Sequence, residues 1–387
     1  MVYCDVNVFL SPQGGGIRTY HMRKAQWFAS SCPEDRYVTI QPSPFDAIEP
    51  GPGDNVEHHL LPGTLFGSNY RLFLNYLPVH RRMREIGADV LEAGDPYLTA
   101  KAGLSAPARL RTSFWHSDPQ TAYFDLWANQ PEFTALGRAV RRGLTGMVAK
   151  WIHAQQKRFD LVWCASDWAA EGLRRRGLEN VEVLPFGTDK GRFRLQPKDR
   201  DWLRSLNLDP DRPVLLYAGR LDREKGIGTL MRGMDDLLRL PSRPQLLVCG
   251  RGYHSEWFEA WQHPDYRYLG FLDSIDAMAR LYASADLLIA TCAVETFGLA
   301  VLEALTSGLP VLSADNGGGA EVVRKSGAGT TFQAGDTDDL VRQAGQFLSA
   351  APGLREKAAA FGAAWPSWDD FFAGQHARNA ELLKVCP

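Results

Sequence analysis

Residues 285–303 of this 387-residue chain read ADLLIATCAVETFGLAVLE. The apolar run from Ala285 to Ala290 predicts a buried strand, a turn follows at residues 295–298, and the apolar periodicity after Gly298 predicts a helix. At the start of such a helix, backbone N–H groups without intrahelical partners point outward, and the helix dipole favours a negative charge. We therefore predict a phosphate site at four backbone positions, Thr296, Phe297, Gly298 and Leu299.

Two acidic residues, Glu295 and Glu303, lie eight positions apart in this stretch. Two acids on a helix usually form only a solvated face. If the turn binds a ligand, Glu295 at its mouth could accept hydrogen bonds from sugar hydroxyls, and Glu303, deeper in the helix, could hold both hydroxyls of a ribose. The neighbouring loops decide between these two interpretations.

Short runs of β-branched and aliphatic residues alternate with amphipathic segments along the chain, a pattern typical of parallel sheets with crossover helices. The predicted fold class is therefore α/β. The chain exceeds the size that one hydrophobic core supports, so we expect two domains. Turn residues and a charged region at 190–204 place the boundary near residue 195. The predicted domains are residues 1–195 and 196–365, and a helix at about 366–387 is expected to pack back on the first domain.

The composition excludes several classes of protein. Apolar residues make up 45% of the chain and charged residues 23%, as in ordinary globular proteins, and a net charge of −2 gives no reason to expect a nucleic-acid partner. The six cysteines form no C-x-x-C pair and no zinc-finger spacing with histidine, which fits a reducing compartment. The sequence has no secretory signal pattern and no run of about 18 apolar residues, so a cytoplasmic location is expected.

Two further loops carry residues that suit a phosphorylated ligand. Residues 219–226 read GRLDREKG and place Arg220 and Lys225 after a predicted strand. There a guanidinium and an ammonium group could grip a pyrophosphate, although a solvated basic loop is the alternative. Residues 316–321 read NGGGAE and supply glycines where a backbone passes close to a ligand.

Together these segments resemble the retaining GT-B glycosyltransferases of family 4. That family carries the motifs G-R-x-x-x-x-K-G, G-F-x, E-x7-E and G-G-x-x-E in this order, and here they are residues 219–226, 270–272, 295–303 and 318–321. The resemblance covers roughly residues 183–325. It implies two facing Rossmann-like domains with a cleft, of which the second binds a nucleotide-sugar donor and the first binds the acceptor.

The resemblance also implies roles for individual residues of the second domain. The donor diphosphate would be bound at Gly219, Arg220 and Lys225. Glu303 would hold the ribose, and Glu295 would contact the donor sugar near its anomeric carbon.

The family's base and sugar contacts fall on two more places. The backbone at Phe271 and Leu272 would read the base. His116 ends a predicted strand where the family has a histidine that touches the donor sugar, and ligands bind at strand ends in Rossmann-like sheets. A lone histidine is more often structural, which is the alternative here.

Three glycines, Gly14, Gly15 and Gly16, follow the first predicted strand and precede an amphipathic segment. The N–H groups of Gly15 and Gly16 could face the donor phosphates from the first domain. The family has a shorter glycine pair at this position, and a tight turn without a ligand is the alternative.

The predicted reaction moves a hexose-type sugar from a UDP- or GDP-linked donor to a glycan or lipid-linked hydroxyl, with retention and without a metal or cofactor. Arg220, Lys225 and helix N–H groups would stabilise the charge that develops on the leaving diphosphate. A carboxylate nucleophile is the usual route to retention, but the family resemblance implies front-face attack, in which the leaving phosphate takes the acceptor proton. His116 and Glu295 complete the predicted catalytic set, and the D-x-D at 209–211 is interpreted as a turn.

Two rival functions remain at this point. A non-catalytic nucleotide-sugar-binding module would keep the phosphate loops, and a nucleotide-sugar epimerase could use the same architecture. Both Glu295 and His116 are present in this sequence, which favours catalysis.

The segment 138–158 is a candidate membrane contact. One helix face is predicted to carry the apolar residues Val140, Leu144, Met147, Val148, Trp151 and Ile152. The basic residues of the segment lie largely on the opposite face. Such a helix could lie on an anionic membrane at the inner face and bring a lipid-linked acceptor to the first domain. A helix packed on the protein surface with solvated arginines is the alternative.

Overall fold

The computed structural model describes residues 1–8, 15–66, 70–129, 133–350 and 353–385. It divides into two compact units, Met1–Pro185 with Trp368–Pro387, and Phe186–Ser367. The division falls ten residues before the boundary expected near 195. The reason is that the Phe186 ring packs edge-on against Phe297 at 5.3 Å and its carbonyl accepts a hydrogen bond from the Trp365 indole at 2.9 Å. Both partners belong to the second unit.

The strands share the short, mostly apolar character expected of buried sheets. In chain order they are β1 (Val2–Val6), β2 (Arg36–Ser43), β3 (Ala47–Pro50), β4 (Val56–Pro62), β5 (Thr64–Phe66), β6 (Tyr70–Leu72), β7 (Val90–Ala93), β8 (Leu110–Phe114), β9 (Leu161–Cys164), β10 (Val181–Val183), β11 (Val214–Ala218), β12 (Gln245–Cys249), β13 (Tyr266–Tyr268), β14 (Leu287–Ala290), β15 (Val311–Ala314) and β16 (Gly329–Phe332).

The helices alternate with these strands. They are α1 (Gly16–Ser31), α2 (Leu77–Ile86), α3 (Leu98–Ser105), α4 (Asp125–Ala128), α5 (Ala135–Gln156), α6 (Asp167–Arg175), α7 (Arg200–Ser205), α8 (Ile227–Leu238), α9 (Ser255–Ala260), α10 (Ile275–Ser284), α11 (Leu299–Thr306), α12 (Gly318–Ser326), α13 (Thr337–Ala350), α14 (Leu354–Ala364) and α15 (Trp368–Val385). A π-helical turn at Gln120–Phe124 and a 3-10 turn at Arg223–Lys225 complete the set for the described residues. Among these helices, none has both the length and the apolar character needed to cross a membrane.

The second unit is built on a parallel sheet with the order β13-β12-β11-β14-β15-β16. The chain runs outward to one side from β11 to β13 and then to the other side from β14 to β16. Ligands of such sheets bind at the carboxyl ends of the strands where this order reverses, because the loops on either side separate there and leave a crevice. That point lies between β11 and β14, and their loops hold residues 219–226 and 291–298.

Continuous apolar runs explain why this sheet is buried on both faces. Leu215, Leu246, Leu287 and Leu312, from four adjacent strands, are fully buried in one cluster with helix residues such as Leu230 of α8. Helices on both sides of a parallel sheet leave no face for water, so such strands need no polar alternation. The sheet therefore forms a rigid base for the loops at its carboxyl edge.

The first unit has an eight-stranded sheet with the order β10-β9-β8-β7-β1-β2-β4-β3, in which only β3 runs antiparallel, and a separate hairpin of β5 and β6 within the described residues. Its order reverses between β1 and β7. The loops after β1 and β7 are joined by hydrogen bonds. The Asn7 amide donates to the Gly94 carbonyl at 3.1 Å, and the Val8 N–H donates to Asp95 at 3.1 Å.

Three buried charges lie beneath this edge of the first sheet. The Lys24 ammonium on α1 lies 2.8 Å from the Asp5 carboxylate on β1 and 3.1 Å from the Glu92 carboxylate on β7, and all three side chains are at most 4% exposed. The Tyr20 hydroxyl donates to Glu92 at 2.7 Å. Burial raises the pKa of Glu92 to about 7, even though Lys24 acts in the opposite direction. One cation thus serves two carboxylates.

The final helix, α15, packs on the first unit. Gln375 donates to Glu92 at 2.9 Å, and Arg378 forms an ion pair with Glu182 of β10 at 2.6 Å. Trp368, Phe371 and Phe372 are buried in the same unit. These contacts tie the end of the chain to the charged cluster beneath the first sheet.

Candidate functional site

The turn between β14 and α11 lies at the reversal point of the second sheet. Gly298 has a φ of 94° and forms the N-cap of α11, so the helix begins at Leu299. The helix therefore starts directly after the predicted turn at residues 295–298. Thr296 and Phe297 precede the helix, and both side chains are buried. Of the four positions, Leu299 alone lies in the first turn.

A second loop holds this turn in place from the side of β15. The Gly318 N–H donates to the Glu295 carbonyl at 2.7 Å. A Cβ atom at Gly318 would lie 2.5 Å from the Thr296 carbonyl oxygen, and one at Gly298 would lie 2.9 Å from Gly319 Cα. The glycines thus allow two backbone segments of the protein to touch, which is a different reason from the close ligand approach expected from the sequence.

The two loops at the reversal point meet through an ion pair. The Lys225 ammonium lies 2.6 Å from a Glu295 carboxylate oxygen, and these side chains are 23% and 26% exposed. Burial by itself would lower the pKa of Lys225, but the Glu295 charge more than offsets it, and the pKa is raised overall. The loops are also joined by the Thr291 hydroxyl, which donates to the Lys225 carbonyl at 2.6 Å. The structure therefore brings together two of the residues predicted to bind the donor.

Arg220, the other predicted cation, lies in the same loop and has acidic partners of its own. Its guanidinium donates to Asp222 at 2.8 Å and forms a second ion pair with Glu224. The backbone is held from below by the Tyr217 hydroxyl, which donates to the Arg220 carbonyl at 2.8 Å. Gly219, before Arg220, is exposed. The residue pattern of this loop contained Asp222 and Glu224, but it did not indicate that they would engage Arg220.

Glu303 lies in the second turn of α11, as the sequence predicts. It is half-buried and accepts a hydrogen bond from the Tyr282 hydroxyl of α10 at 3.2 Å. Tyr282 itself is fully buried. This tyrosine orients the carboxylate that is predicted to hold a ribose, and the sequence analysis did not identify it because the two residues lie on different helices.

Phe271 and Leu272 follow β13, an edge strand two places from the reversal point. Gly270 has a φ of 65°, and its carbonyl accepts a hydrogen bond from the Gly250 N–H at 2.8 Å, which aligns the loops after β12 and β13. The Phe271 ring is 40% exposed, and the Arg251 guanidinium lies 5.9 Å from its centroid. An exposed ring beside a cation can stack on a planar ligand such as a base.

His116 and the glycines at 15 and 16 belong to the first unit. The His116 ring stacks on Phe114 at 4.6 Å and meets Tyr20 edge-on at 4.9 Å. Burial, followed by the charges of His21 and Lys24, lowers the pKa of His116 well below its usual range, so the ring is neutral at pH 7. Its predicted contact with a donor sugar stays a prediction.

Gly15 is the N-cap of α1 and Gly16 is its first residue. A Cβ atom at Gly15 would meet nothing within 4 Å, so the protein itself does not demand a glycine there. Gly14 lies outside the described residues. The predicted phosphate contact of Gly15 and Gly16 stays a prediction.

Comparison with known families gives a match in the second unit. Residues 198–365 match the family described as glycosyl transferases group 1. The D-inositol 3-phosphate glycosyltransferase of Nocardia farcinica is 31% identical over 208 residues, which is 48% of this chain and 45% of that protein. A GDP-mannose-dependent alpha-(1-6)-phosphatidylinositol monomannoside mannosyltransferase of Mycobacterium tuberculosis is 28% identical over 204 residues, 49% of this chain and 51% of that protein. The chain thus spans about half the length of these curated relatives.

Solved structures extend the likeness to the whole chain. Sucrose-phosphate synthase from Thermosynechococcus elongatus has a TM-score of 0.77 at 18% identity, and the match covers 100% of both chains. Anabaena HepE in complex with UDP-glucose has a TM-score of 0.71 at 18% identity, again over 100% of both chains. At such identities the likeness shows the fold, and it confirms the predicted α/β class with two Rossmann-like units. The chain therefore has the GT-B fold, and its residues 198–365 are similar to the glycosyl transferases group 1 family.

Proposed function

We propose that this protein is a retaining glycosyltransferase that moves a hexose-type sugar from a UDP- or GDP-linked donor to a saccharide or lipid-linked hydroxyl. The observation that carries the proposal is the Lys225–Glu295 pair at the reversal point of the second sheet, beside the start of α11. A cation for phosphate and a carboxylate for sugar hydroxyls lie in contact at the place where a parallel sheet binds ligands. The UDP-glucose in the similar HepE structure supports a UDP-linked donor.

The proposed catalysis rests on stabilising a leaving diphosphate. Lys225, Arg220 and the N–H groups at the start of α11 would surround the negative charge that develops when the bond from the sugar to the phosphate breaks. Preorganised groups of this kind need little rearrangement during the reaction, which is why they lower its barrier. The donor phosphates would compete with Glu295 and with Asp222 for the two cations.

Glu295 would position the donor sugar in this mechanism. Lys225, at 2.6 Å, holds the Glu295 carboxylate in place before a donor binds. We propose front-face attack, in which the acceptor oxygen bonds to the anomeric carbon while the leaving phosphate oxygen takes the acceptor's proton. The new bond then forms on the face that the diphosphate leaves, and the configuration is retained.

Metal-independent transfer is part of the proposal, and the location of the D-x-D at residues 209–211 is compatible with it. Asp209 accepts a hydrogen bond from the Asp211 N–H at 2.9 Å, and Asp211 forms an ion pair with Arg200. This turn precedes β11 and therefore lies at the amino edge of the sheet, opposite the edge that carries Lys225. Its carboxylates are not placed to hold a metal on donor phosphates at that site.

A ligand screen followed by product analysis tests the donor assignment. UDP, GDP and ADP sugars are added to the purified protein, and a bound donor is expected to raise the unfolding midpoint by several degrees because it binds only the folded state. The donor that binds is then incubated with candidate acceptors, and NMR of the product reports the anomeric configuration. Inversion would refute the front-face mechanism, and no stabilisation by any of these sugars would refute the donor site.

Helix α5 provides the observation that favours a lipid-linked acceptor. Six of its apolar side chains are 40–74% exposed, namely Leu136, Val140, Leu144, Met147, Val148 and Trp151. The face that packs on the protein carries Thr145, Ala149 and Ile152 instead. This arrangement corrects the sequence prediction in one respect, since Ile152 is buried and does not belong to the exposed face.

Basic residues lie beside this exposed face. Arg142 and Lys150 are exposed on the same helix, and the Arg141 guanidinium lies 4.0 Å from the centroid of Trp127, itself 43% exposed. Apolar side chains flanked by basic groups and a tryptophan match the chemistry of an anionic bilayer surface. We propose that α5 binds such a surface peripherally, at the cytoplasmic face of a membrane, and that the acceptor is lipid-linked. The described cysteines are free thiols, which is compatible with a reducing compartment.

Vesicle co-sedimentation tests the membrane contact. The wild-type protein is expected to bind anionic phosphatidylglycerol vesicles at low salt, less at high salt, and not to bind neutral phosphatidylcholine vesicles. The double variant Leu144→Glu, Met147→Glu is expected to lose most of this binding, whereas Ile48→Glu, which changes an equally exposed residue of β3, serves as the control. Equal sedimentation of both variants, or no sedimentation of the wild type, would refute the proposal.

A further inference from the structure

The first unit contains a cluster of metal-ligand side chains. Cys32, Asp35 and His376 each offer one ligand atom, and these atoms all lie within 4.8 Å of one another. The His376 Nε2 atom is 2.7 Å from an Asp35 carboxylate oxygen. The two residues are 341 positions apart in the chain, so the arrangement comes from the docking of α15.

We propose that Cys32, Asp35 and His376 form a structural Zn²⁺ site that fixes α15 to the first unit. A thiolate, a carboxylate and an imidazole are the three ligand types that Zn²⁺ takes in proteins, and bond lengths of about 2.0–2.3 Å in tetrahedral geometry separate the ligand atoms by roughly 3.4–3.6 Å. The His376–Asp35 separation of 2.7 Å is shorter than this and the whole set spans at most 4.8 Å, so side-chain rotations would bring the three atoms to these distances. Mg²⁺ and Ca²⁺ prefer oxygen ligands alone, and a sulfur–nitrogen–oxygen set disfavours them.

The surrounding residues hold the ligands in place. The Asn55 amide donates to the carbonyls of Cys32 at 3.0 Å and of Asp35 at 2.8 Å, which fixes the loop that carries both ligands. The His376 ring stacks on Tyr3 with centroids 5.3 Å apart and lies 5.5 Å from Trp27. Ligands with backbone and ring orientations fixed in advance lose little entropy when a metal binds.

The location of the cluster indicates a structural role. Cys32 follows α1 and Asp35 immediately precedes β2, so the site lies at the amino edge of the first sheet. Ligands of parallel sheets bind at the opposite edge. His376 and Asp35 are 22% and 14% exposed, which leaves a fourth coordination position open to water.

Proton release gives the site a measurable signature. Cys32 carries a free thiol, and its proton must leave before the sulfur binds Zn²⁺. Zn²⁺ binds the thiolate and therefore displaces that proton, and binding weakens as the pH falls. The second Asp35 carboxylate oxygen accepts a hydrogen bond from the Met1 amino group at 2.5 Å, and this contact can persist when the first oxygen binds the metal.

Metal analysis of the purified full-length protein tests the proposal. After EDTA treatment, addition of Zn²⁺ and desalting, the wild type is expected to retain about one zinc per chain, and addition of Co²⁺ is expected to give a thiolate-to-cobalt charge-transfer band. Cys32→Ser and His376→Gln are expected to lose both signals. Cys292→Ser, which removes another half-buried thiol, is the matched control and keeps them. Zinc at a hundredfold excess over its Kd is expected to raise the unfolding midpoint of the wild type by roughly 5 °C.

A second measurement keeps the test decisive if the variants fold poorly. In the wild-type protein, Zn²⁺ is expected to slow alkylation of Cys32 by iodoacetamide at least tenfold and to leave Cys292 unaffected, as read by peptide mass spectrometry. Equal alkylation of Cys32 with and without Zn²⁺ would overturn the proposal. Failure of the wild type to retain zinc, or an unchanged cobalt band in Cys32→Ser, would also overturn it.

Discussion

Replacing Lys225 with alanine separates the proposed role in catalysis from a role in stability. The Lys225–Glu295 pair spans 2.6 Å, but both side chains are about a quarter exposed. An ion pair in that setting contributes at most about 1 kcal/mol to folding, because water screens it. If Lys225 stabilises charge on the leaving diphosphate, its loss costs about 2.7–4 kcal/mol in the transition state, which lowers the rate about 10²–10³-fold. The expected result is a large kinetic defect in a protein of nearly normal stability.

Lys198→Ala provides the matched control. Lys198 forms an ion pair with Asp286 at 2.7 Å, and the two side chains are 19% and 30% exposed, which closely resembles the Lys225 pair. It lies at the amino edge of the same sheet, however, away from the candidate site. Both variants are expected to lose a similar, small amount of stability, but only Lys225→Ala is expected to lose activity.

The assay measures initial rates of nucleotide release with the donor identified by the ligand screen, together with thermal unfolding midpoints of both variants. A shift of at most about 4 °C is expected for each variant, since a destabilisation of 1 kcal/mol moves the midpoint by about 2–4 °C at this domain size. Turnover of Lys225→Ala within tenfold of the wild type would refute the phosphate assignment. Equal loss of activity in Lys198→Ala would also refute it, since the defect would then follow from lost stability.

Three further outcomes are expected. Gly298→Ala places a Cβ atom 2.9 Å from Gly319 Cα at a φ of 94°, so urea unfolding should show a loss of about 2 kcal/mol or more, accompanied by a raised KM for the donor. Lys24→Met leaves Asp5 and Glu92 buried without their shared cation and should destabilise the protein by about 3–5 kcal/mol at pH 7, whereas a loss under 1 kcal/mol would contradict the buried network. Burial raises the pKa of Glu92 to about 7 from an ordinary value of 4.5. Its contribution to stability is therefore fully present below pH 4.5 and is lost as the pH rises through 7. Urea titrations at pH 5 and pH 8 should show this difference in stability, and Glu92→Gln should remove it.

The sequence predicts the strand and the loops of the candidate site where the argument depends on sheet geometry. Residues 285–290 were predicted as a strand, and β14 occupies Leu287–Ala290. The carboxyl ends of parallel strands meet at one edge, so loops after two strands were expected to lie together. The Lys225–Glu295 contact is consistent with that expectation, although the sequence contains nothing that pairs two residues 70 positions apart.

Other features depend on long-range packing and were not predictable from local patterns. The loop containing Gly318 donates a hydrogen bond to the Glu295 carbonyl, and no local pattern predicts this contact between two loops. The buried face of α5 carries Thr145, Ala149 and Ile152, and apolar periodicity alone cannot tell which face is turned inward. Cys32 and His376 show no metal-site spacing, since their proximity depends on α15 crossing to the first unit.

The charges around the loop after β11 constrain how a donor can bind. Arg220 and Lys225 supply two positive charges, whereas Asp222, Glu224 and Glu295 supply three negative ones within ion-pair distance of them. A diphosphate is therefore not attracted by an excess of positive charge at this loop. Its binding depends on an exchange of partners, in which phosphate oxygens replace carboxylates at the two cations while the dipole at the start of α11 contributes additional attraction. The acidic partners thus keep the cations ordered before the donor arrives, and the displaced Glu295 carboxylate becomes available to the sugar hydroxyls when the phosphates take its place at Lys225.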